Sequence, residues 1–303
     1  VDNDNLNTPL GADPGGVRAA AAKLPLSLPA EAALSGRTLV MSGGSRGIGL
    51  SIALAAARLG ANIALVAKTD TPDPRLPGTV HTAAEEIRAA GGQVLPLVGD
   101  IRNEEDVDRL VDAAVAEFGG IDIVVNNASA INLSGTQDLP VKRLDLMLDI
   151  NLRGTFLLTR AALAHLRRSS HPHVLTLAPP INLDPAWLGA HPAYTMSKYA
   201  MSLVGLSIAA ENADAGVASN CLWPETAIAT AAVRNMAALG GVEMIEHSRD
   251  PQIMADAAMI IVSADPAQVS GHTLIDADVL RTAGRTDLSG YGGTPPLALD
   301  LFL

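Results

Sequence analysis

The sequence contains one cysteine, Cys221, so no internal disulfide can form. That points to a reducing compartment, and a cytoplasmic protein is expected. Aromatic residues make up only 3% of the 303 residues: two Trp, three Tyr and three Phe. Aliphatic side chains must therefore fill the core. Positive charge is scarce as well, with 21 Lys and Arg against 32 Asp and Glu and a formal charge of −11. This excludes the broad basic footprint of a nucleic-acid binder, but not a small basic pocket for one phosphate. No run approaches the ~18 apolar residues of a membrane-spanning helix. The opening VDNDNLNTPLGADPGG lacks the basic start and apolar core of a signal peptide. Histidines 171, 173 and 191 gather around prolines without metal-ligand spacing, and no metal is expected. Lysine occurs only at positions 23, 68, 142 and 198, which makes each placement informative.

What is present is apolar and periodic. Hydrophobic residues are 48% and charged residues 17%, enough for one large α/β domain. Residues 1–35 are rich in Ala, Pro and Gly and read as an extension, partly extended and wrapped on the domain. Short buried runs then alternate with helical patterns. RTLVMSGG, NIALVA, QVLPLVGD, IDIVVNN, HVLTLA, GVASNCLW and HTLID read as strands. Between them, residues 47–59, TAAEEIRAA, NEEDVDRLVDAAVAEFGG, residues 193–212 and PQIMADAAMIIVSA read as helices. Residues 141–166 read as one long helix, apolar most of the way round. The expected architecture is a parallel sheet covered by helices on both faces, a single domain over 36–282 with a loop-like tail at 283–303.

SGGSRGIG at 42–49 follows the first strand and opens the first helix. Glycines at 43, 47 and 49 permit a tight turn and close approach of a pyrophosphate. The helix start offers free N–H groups and partial positive charge. The required strand–turn–helix context is met. An acid at the end of the second strand would bind a 2′-hydroxyl and select NAD. Here that region reads LVAKTD, with Ala67 and Lys68. Lys68 and Arg46 are two cations suited to a 2′-phosphate, so NADP(H) is expected over NAD(H). Asp70 is the one nearby acid that could fold back.

In HPAYTMSKYA, Tyr194 and Lys198 stand at i and i+4, on one helical face. A phenol of pKa ~10 reaches ~7 for about 4 kcal/mol. A cation about 4 Å away at an effective dielectric of 20 supplies roughly that.

Together with GDIRN at 99–103, NNAS at 126–129 and DINLRG at 149–154, these motifs resemble, in order, those of the short-chain dehydrogenase/reductase family over residues 34–280. TAAEEI, NNASAINL, KRLDLM, APPINLDPAW and WPETAIAT resemble more narrowly the hydroxysteroid dehydrogenase-like protein 2 group, some members of which carry a sterol-carrier module after the reductase domain. No such module is expected within these 303 residues. The resemblance implies a Rossmann-type doubly wound α/β/α fold with strand order 3-2-1-4-5-6-7. It implies a coenzyme held by Ser42, Gly43, Ser45, Arg46, Gly47 and Ile48 of the turn. Asp100 and Ile101 would lie near the adenine, Asn127 and Ala128 beside its ribose, and Pro224, Ile228 and Thr230 along the nicotinamide. Tyr194, Lys198 and Asn151 would be catalytic, with Asn151 bracing a proton-resupplying water chain. A homodimer or homotetramer, paired through the helices at 141–166 and 193–212, is implied too.

The sequence departs from that pattern in four places. Ser42 replaces a threonine, Ser129 replaces a glycine, and Glu225 follows Pro224 where glycine is common. The family serine falls at Ala178 or Pro179, neither of which has a hydroxyl. Such a donor is typically worth about 10²–10³ in rate. Asn182 and Thr176 are the neighbouring replacements to consider, and Pro179, Asn182 and Trp187 are expected at the substrate. The weakly charged stretch after Pro224, with Trp187 and Trp223, favours an apolar, lipid-like or alicyclic carbonyl or alcohol as the small-molecule substrate. The alternative function is an NADP(H)-binding sensor or scaffold without turnover.

Overall fold

The computed structural model describes residues 21–73, 78–235 and 241–303. The apolar runs form seven parallel strands: β1 Thr38–Ser42, β2 Asn62–Ala67, β3 Gln93–Val98, β4 Ile123–Asn126, β5 His173–Thr176, β6 Ala218–Trp223 and β7 Thr273–Ile275. Their order is β3-β2-β1-β4-β5-β6-β7, as the resemblance implies. All six pairings are parallel. The near-continuous Val/Ile/Leu character of β1, β2 and β4 is what burial on both faces demands. Pro96 sits in β3, at the sheet edge, where a missing N–H breaks no ladder bond on the open side.

Two aliphatic cores flank the sheet, as the scarcity of rings requires. On one side α1 (Gly47–Arg58) packs against α10 (Gln252–Val262) through Ile52, Ala53, Ala56, Met259 and Ile260. The alanines of α1 let the two helices approach closely. On the other side lie α3 (Glu104–Phe118) and α5 (Thr155–Leu166), contributing Val107, Leu110, Leu158 and Ala162. Helix α2 (Val80–Ala89) opens with a Thr79/Thr82 capping box. Asn103 caps α3, and Gly119 at φ +85° ends it. Ala21, Leu26 and Leu34 are buried against the first core, so the described part of the N-terminal segment does wrap on the domain. Residues 1–20 lie outside the described residues.

The stretch 141–166 is not one regular helix. α4 (Val141–Met147) passes into a seven-residue π-helical stretch, Leu148–Gly154, before α5 begins. Hydrophobic spacing cannot distinguish 3.6 from slightly more residues per turn over so short a length. α7 (Pro192–Glu211) carries Tyr194 and Lys198. The sequence reading also missed four short helices: α6 (Pro185–Ala190), α8 (Ala231–Asn235), α9 (Gly241–Glu246) and α11 (Asp276–Thr282). Each is too short to show a period. The segment 283–303 is mostly loop, as expected, yet its Phe302 is among the most deeply buried large side chains. Among the described residues no helix is long and apolar enough to cross a membrane.

Two consequences can be tested. A Cβ at Gly49 would lie 2.3 Å from the Gly43 carbonyl oxygen and 2.5 Å from the Asn127 amide nitrogen. Gly49→Ala is expected to cost about 1–3 kcal/mol, by overpacking, in chemical denaturation. His173 is buried beside His171, their rings 4.6 Å apart, and its Nε2 lies 3.1 Å from the Ala264 carbonyl oxygen. Burial, then His171, pulls its pKa from the ordinary 6.5 to about 3. The unfolded chain therefore binds a proton that the folded chain refuses. This contribution to stability is complete above 6.5 and is lost as pH falls toward 3. His173→Gln is expected to lose less stability over that pH interval than the wild type.

Candidate functional site

Strand order reverses between β1 and β4, which opens a crevice at their carboxyl ends. A cleft of about 410 Å³ lies there. Gly43, Ser45, Arg46, Gly47 and Ile48 form one wall, and Lys68, Asp100, Ile101, Asn127, Ala128 and Thr230 line the rest. Eleven of the fourteen residues expected at a coenzyme thus meet in one cavity. Of the other three, Pro224 and Ile228 line a neighbouring cavity, and Ser42 sits beneath the turn. Ser42 Oγ accepts from the N–H groups of Asn127 (3.3 Å) and Ala128 (3.1 Å), which ties β1 to the loop after β4. Asn127 Nδ2 donates to Gly43 O at 2.8 Å.

The cleft fits a dinucleotide in shape and in donors. Gly43 has φ +74°, and a Cβ there would strike Ala128 and Asn127 at 2.9 Å, so the turn is as close-fitting as a pyrophosphate cradle must be. No side chain caps the start of α1, so its first N–H groups face the cleft without a side-chain acceptor. Lys68 and Arg46 both line the cleft, near the end of β2. Lys68 Nζ pairs with Asp100 Oδ2 at 3.1 Å, and Arg46 donates to Thr69 Oγ1 (2.7 Å) and Gly78 O (2.9 Å). Arg102, then Lys68, holds the Asp100 carboxyl well below the usual carboxylate range. Asp70 does not fold back: it binds His81 Nε2 at 2.6 Å and is not among the residues lining the cleft.

A second cavity, about 360 Å³, shares Ile48, Thr230 and Ala232 with the first. Tyr194 lines it, as do Pro224 and Ile228. Asn151 stands in the π-helical stretch, fully buried, with its amide saturated by protein. Oδ1 accepts from Ala130 N (2.7 Å); Nδ2 donates to Ala130 O (3.0 Å) and Ser197 Oγ (2.9 Å). Ser197 Oγ in turn donates to Tyr194 O at 2.8 Å. In this arrangement Asn151 sets the position of the Tyr194 helix.

Lys198 lies one turn below Tyr194, but its amine is directed elsewhere. Nζ donates to Leu177 O at 2.5 Å and lies 5.0 Å from the Trp223 ring centroid. Burial pulls its pKa down to about 7. Burial, followed by the Asp300 carboxylate, pushes the Tyr194 phenol above its ordinary range. This reverses the direction expected from helical spacing alone. Desolvation is the leading cause, and the Lys198 amine satisfies a backbone carbonyl.

Two replacements for the absent serine hydroxyl are accounted for otherwise. Thr176 Oγ1 accepts from Asn126 Nδ2 (3.3 Å) inside the sheet layer. Asn182 Nδ2 donates to Phe302 O at 3.1 Å, and Asn182 Oδ1 accepts from Asp184 N. Pro179 is buried and its carbonyl accepts from Ser202 Oγ at 2.6 Å. Trp187 packs on Phe302 with ring centroids 5.8 Å apart. None of Pro179, Asn182 and Trp187 lines the cavity beside Tyr194; Leu299, Asp300 and Leu301 do. The sequence reading missed these tail residues, whose only signal was the apolar ending LALDLFL. Glu225 turns away from the cavity: its carboxylate pairs with Arg249 and Arg281, each at 3.2 Å.

The comparisons with known proteins agree with this architecture. The short chain dehydrogenase family model matches residues 37–238. Hydroxysteroid dehydrogenase-like protein 2 of Danio rerio is 50% identical over 272 residues, which is 89% of this chain and 64% of that protein. The Homo sapiens protein of the same name is 46% identical over 278 residues, 91% of this chain and 65% of that one. The chain therefore spans just under two thirds of the length of these relatives. A crystal structure of a putative dehydrogenase from Xanthomonas campestris superposes with a TM-score of 0.85 at 55% identity, covering 89% of this chain and 98% of that one. With strand order, glycine turn and family model in agreement, the chain belongs to the short-chain dehydrogenase/reductase family.

Proposed function

We propose that this protein is an NADP(H)-dependent oxidoreductase that interconverts a carbonyl and an alcohol on an apolar small molecule, with Tyr194 as the acid–base group. The observation that carries the proposal is the adjacency of the two cavities: Tyr194 lines a chamber that shares Ile48 and Thr230 with the glycine-turn cleft. Ser45, Arg46, Gly47 and Asn127 would hold the diphosphate and ribose side. Arg46 and Lys68, with no acid from Asp70, support the extra phosphate of NADP. Bound NADPH supplies the hydride.

The protein's own groups orient the carbonyl and move the proton. The Tyr194 phenol donates to the carbonyl oxygen as negative charge develops there. Held above its ordinary range, the phenol carries its proton at neutral pH but is a weaker acid than a free one, so the charge developing on the carbonyl oxygen must draw the proton from it. Asn151 acts by position, fixing the Tyr194 helix against the loop at Ala130. The other polar residues lining the chamber are Thr230 and Asp300. Neither Thr176 nor Asn182 lines the chamber, so turnover is expected to be slow relative to a site with two donors. That same observation favours the second reading, an NADP(H)-binding sensor or scaffold without turnover. Wild-type protein that binds NADPH and reduces none of a panel of aldehydes, ketones and acyl thioesters would establish the second reading over the first.

Val141, Phe156, Met196 and Leu203 are exposed on α4, α5 and α7, which supports a homodimer or homotetramer. The cytoplasmic placement rests on the single thiol, buried at Cys221.

Tyr194→Phe is expected to abolish turnover, by about 10²-fold or more, while leaving NADPH affinity unchanged in a fluorescence titration. Undiminished turnover would remove Tyr194 from its role. Ala67→Asp places an anion beside the expected 2′-phosphate and is expected to weaken NADPH at least about tenfold more than NADH. Parallel changes in the two affinities would contradict the coenzyme assignment.

A further inference from the structure

The segment 294–302 lines one side of the Tyr194 chamber through Leu299, Asp300 and Leu301 and is stitched down along its length. Thr294 N donates to Glu246 O, Ala298 N to His247 O, and Asp300 N to Glu225 O, at 2.7–3.1 Å. Ala227 N donates to Ala298 O at 2.9 Å, and Leu299 bridges Thr226 in antiparallel fashion. Two side chains hold the far end: Trp223 Nε1 donates to Leu301 O at 2.9 Å and Asn182 Nδ2 to Phe302 O at 3.1 Å. So many fixed bonds describe a wall, not a loose flap.

At its end, Phe302 takes φ +76°, a left-handed conformation that a bulky residue adopts only when its surroundings impose it. What imposes it is the ring's packing. The Phe302 ring is 1% exposed and touches Tyr199 at 5.3 Å, Trp187 and Trp223 at 5.8 Å, and Tyr194 at 6.2 Å between centroids. Phe302 does not itself line the chamber: it stacks on the Tyr194 ring and follows the lining residue Leu301, so it backs that wall. The chamber itself is about 360 Å³, near the low end of ligand pockets at ~300–1,000 Å³. On the reading above, the nicotinamide must occupy part of it.

We infer that residues 299–301 are a wall of the substrate site and that Phe302, packed behind them and behind Tyr194, sets its depth, admitting slender, unbranched carbonyl compounds and excluding fused-ring ones. The inference rests on the proposed oxidoreductase reading and deepens it by naming the substrate class. Removing the Phe302 ring opens space behind Tyr194 and Leu301, bounded by Tyr199, Trp187 and Trp223. A bicyclic ketone then has room beside Tyr194, while a straight chain gains little.

The test compares wild type, Phe302→Ala and the milder Phe302→Leu on two ketones, heptanone and decalone. Two readouts are taken: kcat/KM with NADPH, and ketone affinity from tryptophan fluorescence. The second needs no turnover, because the chain's two tryptophans, Trp187 and Trp223, both flank Phe302. The ratio of decalone to heptanone, in rate and in affinity, is expected to rise about 10- to 100-fold in Phe302→Ala, with Phe302→Leu between. A ratio unchanged in both variants overturns the inference. If none of the three proteins reduces either ketone, the oxidoreductase reading fails alone. The fluorescence ratio still decides the wall: a rise upholds it and a constant ratio refutes it. If Phe302→Ala does not fold, Phe302→Leu decides on the same two ratios.

Discussion

The amide of Asn151 is the constraint on which the catalytic end depends. It binds both sides of the gap between the loop after β4 and the Tyr194 helix. Its oxygen and nitrogen clamp the Ala130 peptide, and its second N–H holds Ser197, which holds the Tyr194 carbonyl. An amide offers two donors and one two-lone-pair acceptor, so such a clamp nearly exhausts it. The π-helical stretch makes the clamp reachable, because it displaces Asn151 from the position a regular helix would give it. π turns inside helices recur at functional positions for this reason. Ser42 performs the matching task at the other side of the crevice, binding the peptides of Asn127 and Ala128. Between these two ties the loop 127–130 is fixed, and with it the relation between the glycine turn and the phenol.

The charges around the chamber are arranged so that few of them point into it. Glu225 stands where a small residue is common, yet two arginines claim its carboxylate and its backbone serves the wall. Its own N–H donates to Asp276 Oδ1, in a buried carboxylate held up by desolvation. Unpaired, a buried glutamate would be costly; paired twice, it costs far less and organises the turn after Pro224. Asp300 and Lys198 are the groups that remain near Tyr194. Both sit at low dielectric, where desolvation pushes the acid up and the amine down. Their mutual attraction opposes those shifts, and the Tyr194 phenol responds to the acid. Spacing along a helix gives proximity, while burial and the direction of each donor decide the electrostatic result.

That distinction marks what was legible in the sequence. The seven strands and the glycine-turn cleft followed from local signals, apolar runs and glycine positions, while the strand order followed from the family resemblance. Lys68 and Arg46 were legible because lysines are rare and one of them falls at the end of β2. The π-helical stretch was not, since seven residues carry too little periodicity to separate two helical pitches. The direction of the Lys198 amine was not legible either, because it depends on the Leu177 carbonyl, 21 positions away in sequence. The residues expected at the substrate, Asn182 and Trp187, were read without their partner. Their hydrogen-bonding and packing capacity goes to Phe302, 120 positions from Asn182. Contacts at such separation leave no trace in local pattern.

The shortage of aromatic residues gains its meaning from where they are. Five of the eight rings in the chain, Tyr194, Tyr199, Trp187, Trp223 and Phe302, meet in one cluster at the end of the sheet. The rest of the core is built mainly from alanine, valine, leucine and isoleucine, with Met41, Met254, Met259 and Tyr291 among them, and the aliphatic residues pack helices close and need no polar outlet. Rings are used where a large, rigid face must be set against a polar edge. Trp223 offers its N–H to the wall and its face to Lys198, and Tyr199 donates to Asn182 O at 2.5 Å. An aliphatic cluster of equal volume would bury the same area but could not also satisfy these backbone carbonyls. The wall is therefore held by the same side chains that shape the space in front of it, and a change in one ring acts on both.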